Sequence, residues 1–202
     1  MLEYLNPFYY FNQMWRMFFE YILDVDLLHD DKILIIGVCG GSGKTTLAKK
    51  LCKQFNYTYI PLDECKFGDK WVRNSPEVFL NNIQKRIDES GGRYVIDGVF
   101  HDPKMSCQSE YLESHLNEFD MVVWMYLPKW VALWRKFFRS IKRRLGIEPQ
   151  GASVETWKNV YHMLKGDYNT FDERFKRLDN SMKLNYYKMN KFRYLKFPSY
   201  YV

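Results

Sequence analysis

Lys44, Thr45 and Thr46 follow a run of small residues, Cys39-Gly40-Gly41-Ser42-Gly43, and are the residues of this chain best placed to do chemistry. Glycines let successive backbone N–H groups converge on one phosphate with no Cβ in the way. A helix that begins at such a turn adds its partial positive charge at the same point. In that setting the Lys44 ammonium reaches the β and γ phosphates of a nucleoside triphosphate, and the Thr45 hydroxyl ligates magnesium. Gly40, Gly41, Ser42, Gly43, Lys44, Thr45 and Thr46 are therefore the expected ATP-binding residues. The usual spacing, glycine, four residues, then Gly-Lys-Thr, puts Val38 where a glycine is expected, with Gly37 before it and Gly40 two after.

Such a loop works only between a strand and a helix. The apolar run Ile33-Leu34-Ile35-Ile36-Gly37 reads as a buried strand, and Leu47-Ala48-Lys49-Lys50-Leu51 as a helix. From Lys32 onward strands and helices alternate, the pattern of a mostly parallel sheet covered on both faces. Thr58 to Leu62 is a short strand ending at Asp63. Pro76 to Ile87 reads as a helix, with Ser75 at its N-cap and Pro76 at its first position. Gly91-Gly92 is a turn, and Arg93 to Ile96 a strand ending at Asp97. Met121 to Leu127 is a strongly apolar strand halted by Pro128. Trp130 to Leu145 is a basic helix, Val154 to about Met182 is mostly helical, and Phe192 to Phe197 is the last strand.

In open parallel sheets ligands sit beyond the carboxyl ends of the strands. Asp97, at such an end, is expected to hold magnesium beside Thr45, the alternative being a turn or cap role. Asp63 can accept the proton of an attacking hydroxyl, grip a substrate hydroxyl, or cap a turn; Glu64 is a weaker candidate. Arg135, Arg139 and Lys142 or Arg143 share one helical face. That face can neutralise a phosphoryl group in transfer, follow a nucleic-acid backbone, or be solvated beside a buried Trp130-Leu133-Phe137 stripe. Gly146 and Gly151 bracket a stretch able to hinge a lid. Trp71 and Arg73 can hold an acceptor by stacking and ion pairing, core packing being the other role for Trp71.

The chain has 202 residues, enough for one α/β domain over 32–202 with an aromatic extension over 1–31. Apolar residues at 47% and aromatics at 18% exclude a disordered chain. A net charge of +6 fits phosphorylated ligands as well as nucleic acid. In the extension, Phe8, Phe11, Trp15, Phe18 and Ile22 fall near helical spacing, which suits a packed helix, a self-association surface or a membrane-interface helix. Arg16 is the only Lys or Arg before Lys32, which argues against a transit peptide and against attraction to acidic lipid. Cys39, Cys52, Cys65 and Cys107 form no Cys-x-x-Cys and read as free thiols in a reducing compartment. Alkylation of Cys39, inside the loop, is expected to block nucleotide binding. The histidines show no metal-ligand spacing. With no long uncharged apolar run and no basic-then-apolar start, the expected location is intracellular and cytoplasmic, with no membrane span.

Taken together, several segments resemble a known family. They are Ile-Ile-Gly-x-x-Gly-Gly-Ser-Gly-Lys-Thr-Thr-Leu-Ala-Lys, Leu62-Asp63 with Trp71 downstream, Val95-Ile96-Asp97-Gly98, and Val123 to Pro128 leading into Trp134-Arg135 and an Arg-rich helix. The chain is similar, over roughly 32–197, to the adenylate-kinase-related P-loop proteins known as the DNA topology modulation family. The resemblance implies an adenylate-kinase-like, three-layer α/β/α fold with a five-stranded parallel sheet. It implies ATP and Mg2+ at the loop, Asp97 near the metal, and lid arginines at Arg135, Arg139 and Arg143. Adenylate kinases carry Phe-Pro-Arg after the Asp-Gly pair. This chain has Val99-Phe100-His101, without the arginine that would hold a nucleoside monophosphate. The expectation is a kinase moving the γ-phosphate of Mg-ATP to a small acceptor, a nucleoside or nucleotide first, with Lys44, Asp63, Arg135 and Arg139 as its catalytic residues. The alternatives are a nucleotide-gated nucleic-acid-binding protein and a self-associating scaffold.

Overall fold

The computed structural model describes residues 30–68, 72–99, 106–147, 156–188 and 193–198. The aromatic residues of the N-terminal extension up to His29, together with Trp71, Phe100, His101 and Gly151, lie outside them. The described elements are β1 (Lys32–Gly37), α1 (Lys44–Phe55), β2 (Thr58–Pro61), α2 (Leu62–Lys66), α3 (Pro76–Glu89), β3 (Tyr94–Val99), α4 (Ser106–His115), β4 (Met121–Tyr126), α5 (Lys129–Arg144), α6 (Trp157–Lys188) and β5 (Arg193–Pro198). The five strands form one parallel sheet in the order β2-β3-β1-β4-β5. This is the α/β fold with a phosphate-loop connection that the sequence predicts, and β1 sits at its centre.

Strand alternation divides the core into two layers. Ile33 and Ile35 of β1 face α1, packing on Leu47, Ala48 and Leu51 with Val95, Met121 and Val123. Leu34 and Ile36 face the other side, where Phe79 and Ile83 of α3, Leu112 of α4 and Phe171, Leu178 and Met182 of α6 close over them. Ile33 to Ile36 are fully buried. Each such side chain contributes roughly 1.5–3 kcal/mol over an exposed one. The same alternation puts Asp97 on the α1 side with Val95, and Gly98 on the other with Ile96.

Several boundaries differ from the sequence reading. β2 stops at Pro61, so Asp63 stands in the first turn of α2 and not on a strand. β3 runs on to Val99, so Asp97 lies within it. No periodicity in the sequence announces α4: its buried apolar residues Tyr111 and Leu112 come late in a polar run, too few to set a period. Ser75 caps α3 as expected, its Oγ accepting from the Val78 N–H at 3.4 Å. Gly146, at φ 70°, ends α5: its N–H donates to the Arg143 carbonyl at 3.1 Å, and the Ile147 N–H to that of Lys142 at 2.9 Å. Among the described residues no helix is long and apolar enough to cross a membrane.

Candidate active site

The loop after β1 holds its shape through three glycines. Gly41 and Gly43 are left-handed, at φ 83° and 86°, and α1 starts directly after Gly43. Gly37 is needed for space: a Cβ there would lie 2.8 Å from Ser42 Oγ and 3.2 Å from the Met125 carbonyl oxygen. The Val38 side chain turns into the core and is 2% exposed. The tight approach therefore falls on Gly37, and a valine is accommodated at the next position. Gly37→Ala is expected to destabilise the fold by about 1–3 kcal/mol in urea titration, since a strand and a loop must move apart. An unchanged midpoint would contradict this reading of the loop.

The Lys44 side chain folds along the loop, its Nζ donating to the Cys39 carbonyl at 2.9 Å and to Ser42 Oγ at 3.1 Å. Thr45 Oγ1 donates to Asp97 Oδ2 at 2.8 Å. The register that aligns Ile35 and Pro61 with Asp97 brings this carboxylate beside the start of α1. Burial is the largest influence on Asp97 and raises its pKa above the usual 3.8, while Lys44, Thr45 and Tyr59 oppose the rise. The Tyr59 hydroxyl hydrogen-bonds to both Asp97 and Thr45, and burial pushes its own pKa up. The sequence carries no signal for this role of Tyr59, because an alternating Thr-Tyr-Ile strand is also what plain packing requires.

A cleft of about 390 Å³ opens over this group. It is lined by Gly40, Gly41, Gly43, Lys44, Thr45 and Thr46 from the loop, by Asp63 and Asp97, by Gly98 and Val99, and by Arg135, Phe138, Arg139 and Lys142 of α5. The structure thus brings together the loop residues, Asp63, Asp97, Arg135 and Arg139; Ser42, 1% exposed, braces Lys44 from below, whereas Glu64 pairs with Arg86 at 3.1 Å and Arg73 bridges to Phe67, both outside the cleft lining. Lys142 lines the cleft as the third cation of α5, where the family resemblance pointed to Arg143.

α5 packs directly on the loop. A Cβ at Gly41 would meet the Ala132 carbonyl at 3.4 Å, and one at Gly40 would meet Arg139 Nη2 at 3.4 Å. A charged cluster fastens this contact from behind. Asp167 of α6 accepts from Lys136 of α5 and, at 3.2 Å, from Arg174 Nη1, which also donates to the Val38 carbonyl at 3.5 Å. All three side chains are only 11–12% exposed. Removing the one anion leaves two cations facing each other in a poorly solvated space. Asp167→Asn is therefore expected to destabilise the protein by about 3–5 kcal/mol in chemical denaturation. A loss below about 1 kcal/mol, the range of exposed pairs, would contradict the cluster's role.

Two expectations are corrected. The Trp130-Leu133-Phe137 stripe is not buried: Trp130 is 72% exposed, and the residues of α5 that are buried are Ala132 and Ser140. Close docking on a glycine loop selects small residues on the inner side of the helix, leaving Trp130 and Trp134 exposed and Phe138 at the cleft. Cys39 is 4% exposed and packs in the core, and burial raises its thiol pKa. An alkylating agent meets neither an accessible sulfur nor a thiolate there.

The oxygen donors Thr45 and Asp97 suit a hard cation such as Mg2+. No cluster of three or more His, Cys, Asp or Glu able to hold a metal occurs among the described residues. A magnesium ion here would take much of its coordination from phosphate oxygens and water, as Mg2+ at nucleotide sites does.

No protein-family model matches the chain, and no curated protein matches it. Solved structures do. A candidate kinase from Chloroflexus aurantiacus is 16% identical at a TM-score of 0.41, the match covering 66% of this chain and 76% of that one. Shikimate kinase from Acinetobacter baumannii, solved with shikimate, is 18% identical at 0.35, covering 71% and 79%. Deoxyadenosine kinase from M. mycoides, solved with dATP, is 17% identical at 0.34, covering 82% and 90%. Likeness at this level assigns neither activity nor substrate to this chain; its fold rests on the strand order and loop described above.

Proposed function

We propose that this chain is a magnesium- and ATP-dependent phosphotransferase that moves the γ-phosphoryl group of ATP to a hydroxyl of a small acceptor, with a nucleoside or nucleotide as the leading class. The observation that carries the reading is convergence. A loop of backbone amides, Lys44, the Thr45–Asp97 pair, Asp63 and three cations of α5 all line one cleft. A glycine-rich turn alone would need none of the others there.

Each residue then has a task. The loop amides and Lys44 bind the β and γ phosphates. Thr45 and Asp97 would hold Mg2+, which supplies charge neutralisation between those phosphates when bound. Asp63 accepts the proton as the acceptor oxygen forms its bond to the γ-phosphorus, and the bond from that phosphorus to the bridging oxygen breaks to release ADP. Arg135, Arg139 and Lys142 neutralise the charge spread over the transferring group. The preference for a nucleoside or nucleotide rests on the family resemblance in the sequence. Arg135, Arg139 and Lys142 point into the cleft, which favours a phosphoryl group over a nucleic-acid backbone as their partner.

An ADP-release assay against a panel of nucleosides, nucleoside monophosphates and small hydroxylated metabolites tests the proposal. Turnover should depend on one acceptor class. ATP binding with no acceptor-dependent turnover across the panel would favour the nucleotide-gated binding or scaffold readings.

A further inference from the structure

Tyr59 stands in β2, at one edge of the sheet, and shares a face with Asp97. The register of β2 on β3 pairs Tyr59 with Val95 and Pro61 with Asp97, so the tyrosine lies two residues along from the aspartate on the same side. Its ring packs against the α1-side layer of the core. It also borders a second cavity, of about 510 Å³, whose walls include Thr58, Glu64, Cys65 and Asn82. Packing needs only the ring, and a phenylalanine would fill the layer as well. A tyrosine with no further task could leave its hydroxyl to water in that second cavity. Instead the hydroxyl turns to Asp97 and Thr45. Thr45 Oγ1 spends its one hydrogen on Asp97 Oδ2, at 2.8 Å. The tyrosine hydroxyl is then the second donor to the same carboxylate. Side chains from β2, β3 and α1 thus close one small network, and two of the three are the residues expected to hold Mg2+.

We infer that Tyr59 is a positioning residue for the magnesium site: its hydroxyl fixes the Asp97 carboxylate in the orientation the cation needs. The inference rests on the phosphotransferase reading and deepens it. The last torsion of an aspartate is broad, so a carboxylate with one donor can still turn. Thr45 alone leaves that freedom. A second donor, brought from a neighbouring strand, sets the plane of the group, and the oxygen lone pairs that remain stay available to a metal. The donor is itself held, because the ring that carries it is packed on the core. A serine or threonine at position 59 would be too short to reach two residues along the sheet. Partners of this kind, behind a metal ligand, typically change metal affinity by about 10–100-fold when they are removed.

The test is binding of β,γ-imido-ATP, which cannot pass on its γ-phosphoryl group, measured by calorimetry across a Mg2+ series and again in EDTA. Tyr59→Phe is the variant. It keeps the ring and its packing, so the fold is expected to persist, and a thermal melt without nucleotide reports whether it does. The variant should need at least about tenfold more free Mg2+ for half-maximal enhancement of binding, yet bind the analogue in EDTA as tightly as the parent. A tyrosine that only packs would shift the melt and leave the Mg2+ midpoint in place, and that result would overturn the inference. So would an equal loss of affinity with and without Mg2+, since the hydroxyl would then act on the nucleotide and not on the metal. Asp97→Asn separates this from failure of the site itself. A midpoint raised in Asp97→Asn but not in Tyr59→Phe overturns the positioning role alone. A midpoint unmoved in both, or a parent that binds no better with Mg2+ than in EDTA, overturns the metal site and the inference with it.

Discussion

Lys44→Ala is expected to lower acceptor-dependent phosphoryl transfer by about 10³-fold with little change in the fold, as when one key stabilising group is removed from a preorganised site. The Lys44 ammonium is the one cation held inside the loop itself, kept there by the Cys39 carbonyl and Ser42 Oγ. Its charge stands where negative charge must be offset as the bond to the γ-phosphorus breaks, and Arg135, Arg139 and Lys142 approach from the α5 side of the cleft. Those three cannot replace it from across the cleft. The fold should survive because Lys44 belongs to neither apolar layer of the core; with Lys44 7% and Ser42 1% exposed, the buried acceptors it leaves should cost about 1–3 kcal/mol of stability. Steady-state kinetics beside a thermal melt separate the two effects. Turnover within about tenfold of the parent would remove Lys44 from the catalytic set. An equal collapse of melting temperature and activity would make it a structural brace.

Asp97→Asn is expected to separate stability from activity in opposite directions. The Asp97 carboxylate is 6% exposed, and burial holds its pKa above the ordinary 3.8 in the folded chain. As pH rises through 3.8 the unfolded chain loses this proton first, so the native state binds more protons there and stability falls with rising pH until the folded carboxyl has ionised. Asparagine carries no charge to desolvate and can still accept from Thr45. The variant should therefore melt higher near neutral pH, by about 2–4 °C for each kcal/mol gained in a chain of this size. The gain should shrink toward pH 4. Activity should fall by about 10²-fold or more, because the neutral amide is a poor partner for Mg2+. A variant that melts lower at neutral pH would show that the Thr45 and Tyr59 hydrogen bonds outweigh burial. One that keeps full activity would take Asp97 out of the metal site.

Much of this was legible because the strongest signals are local. Strand β1, the glycine turn and the start of α1 are contiguous, so each fixes the next. Asp97 could be anticipated because an acidic residue in an apolar Tyr-Val-Ile-Asp run has little reason to be there except at a site. What stayed hidden depends on residues far apart in sequence. The Asp167 cluster joins positions 136, 167 and 174 to the loop at Val38, and no spacing rule links an aspartate in a polar helix to a turn more than a hundred residues earlier. The outward aromatic side of α5 was misread for a related reason. Amphipathic periodicity identifies two sides of a helix and presumes that the large apolar residues are buried, but here the buried residues of α5 are the small Ala132 and Ser140, while Trp130 and Trp134 are exposed. That Gly37 takes the close contact in place of a glycine at position 38 was likewise invisible until the strand and loop were seen together.

The central claim is that the γ-phosphoryl group leaves ATP for an organic hydroxyl in the cleft between the loop and α5. Tracing label from γ-³²P ATP in the presence of Mg2+ and the acceptor panel tests it most directly. The account predicts label in a phosphomonoester of one acceptor class, formed in step with ADP and lost in Lys44→Ala. Label that stays in ATP with every acceptor, or that appears only as inorganic phosphate at a rate no acceptor changes, would contradict it.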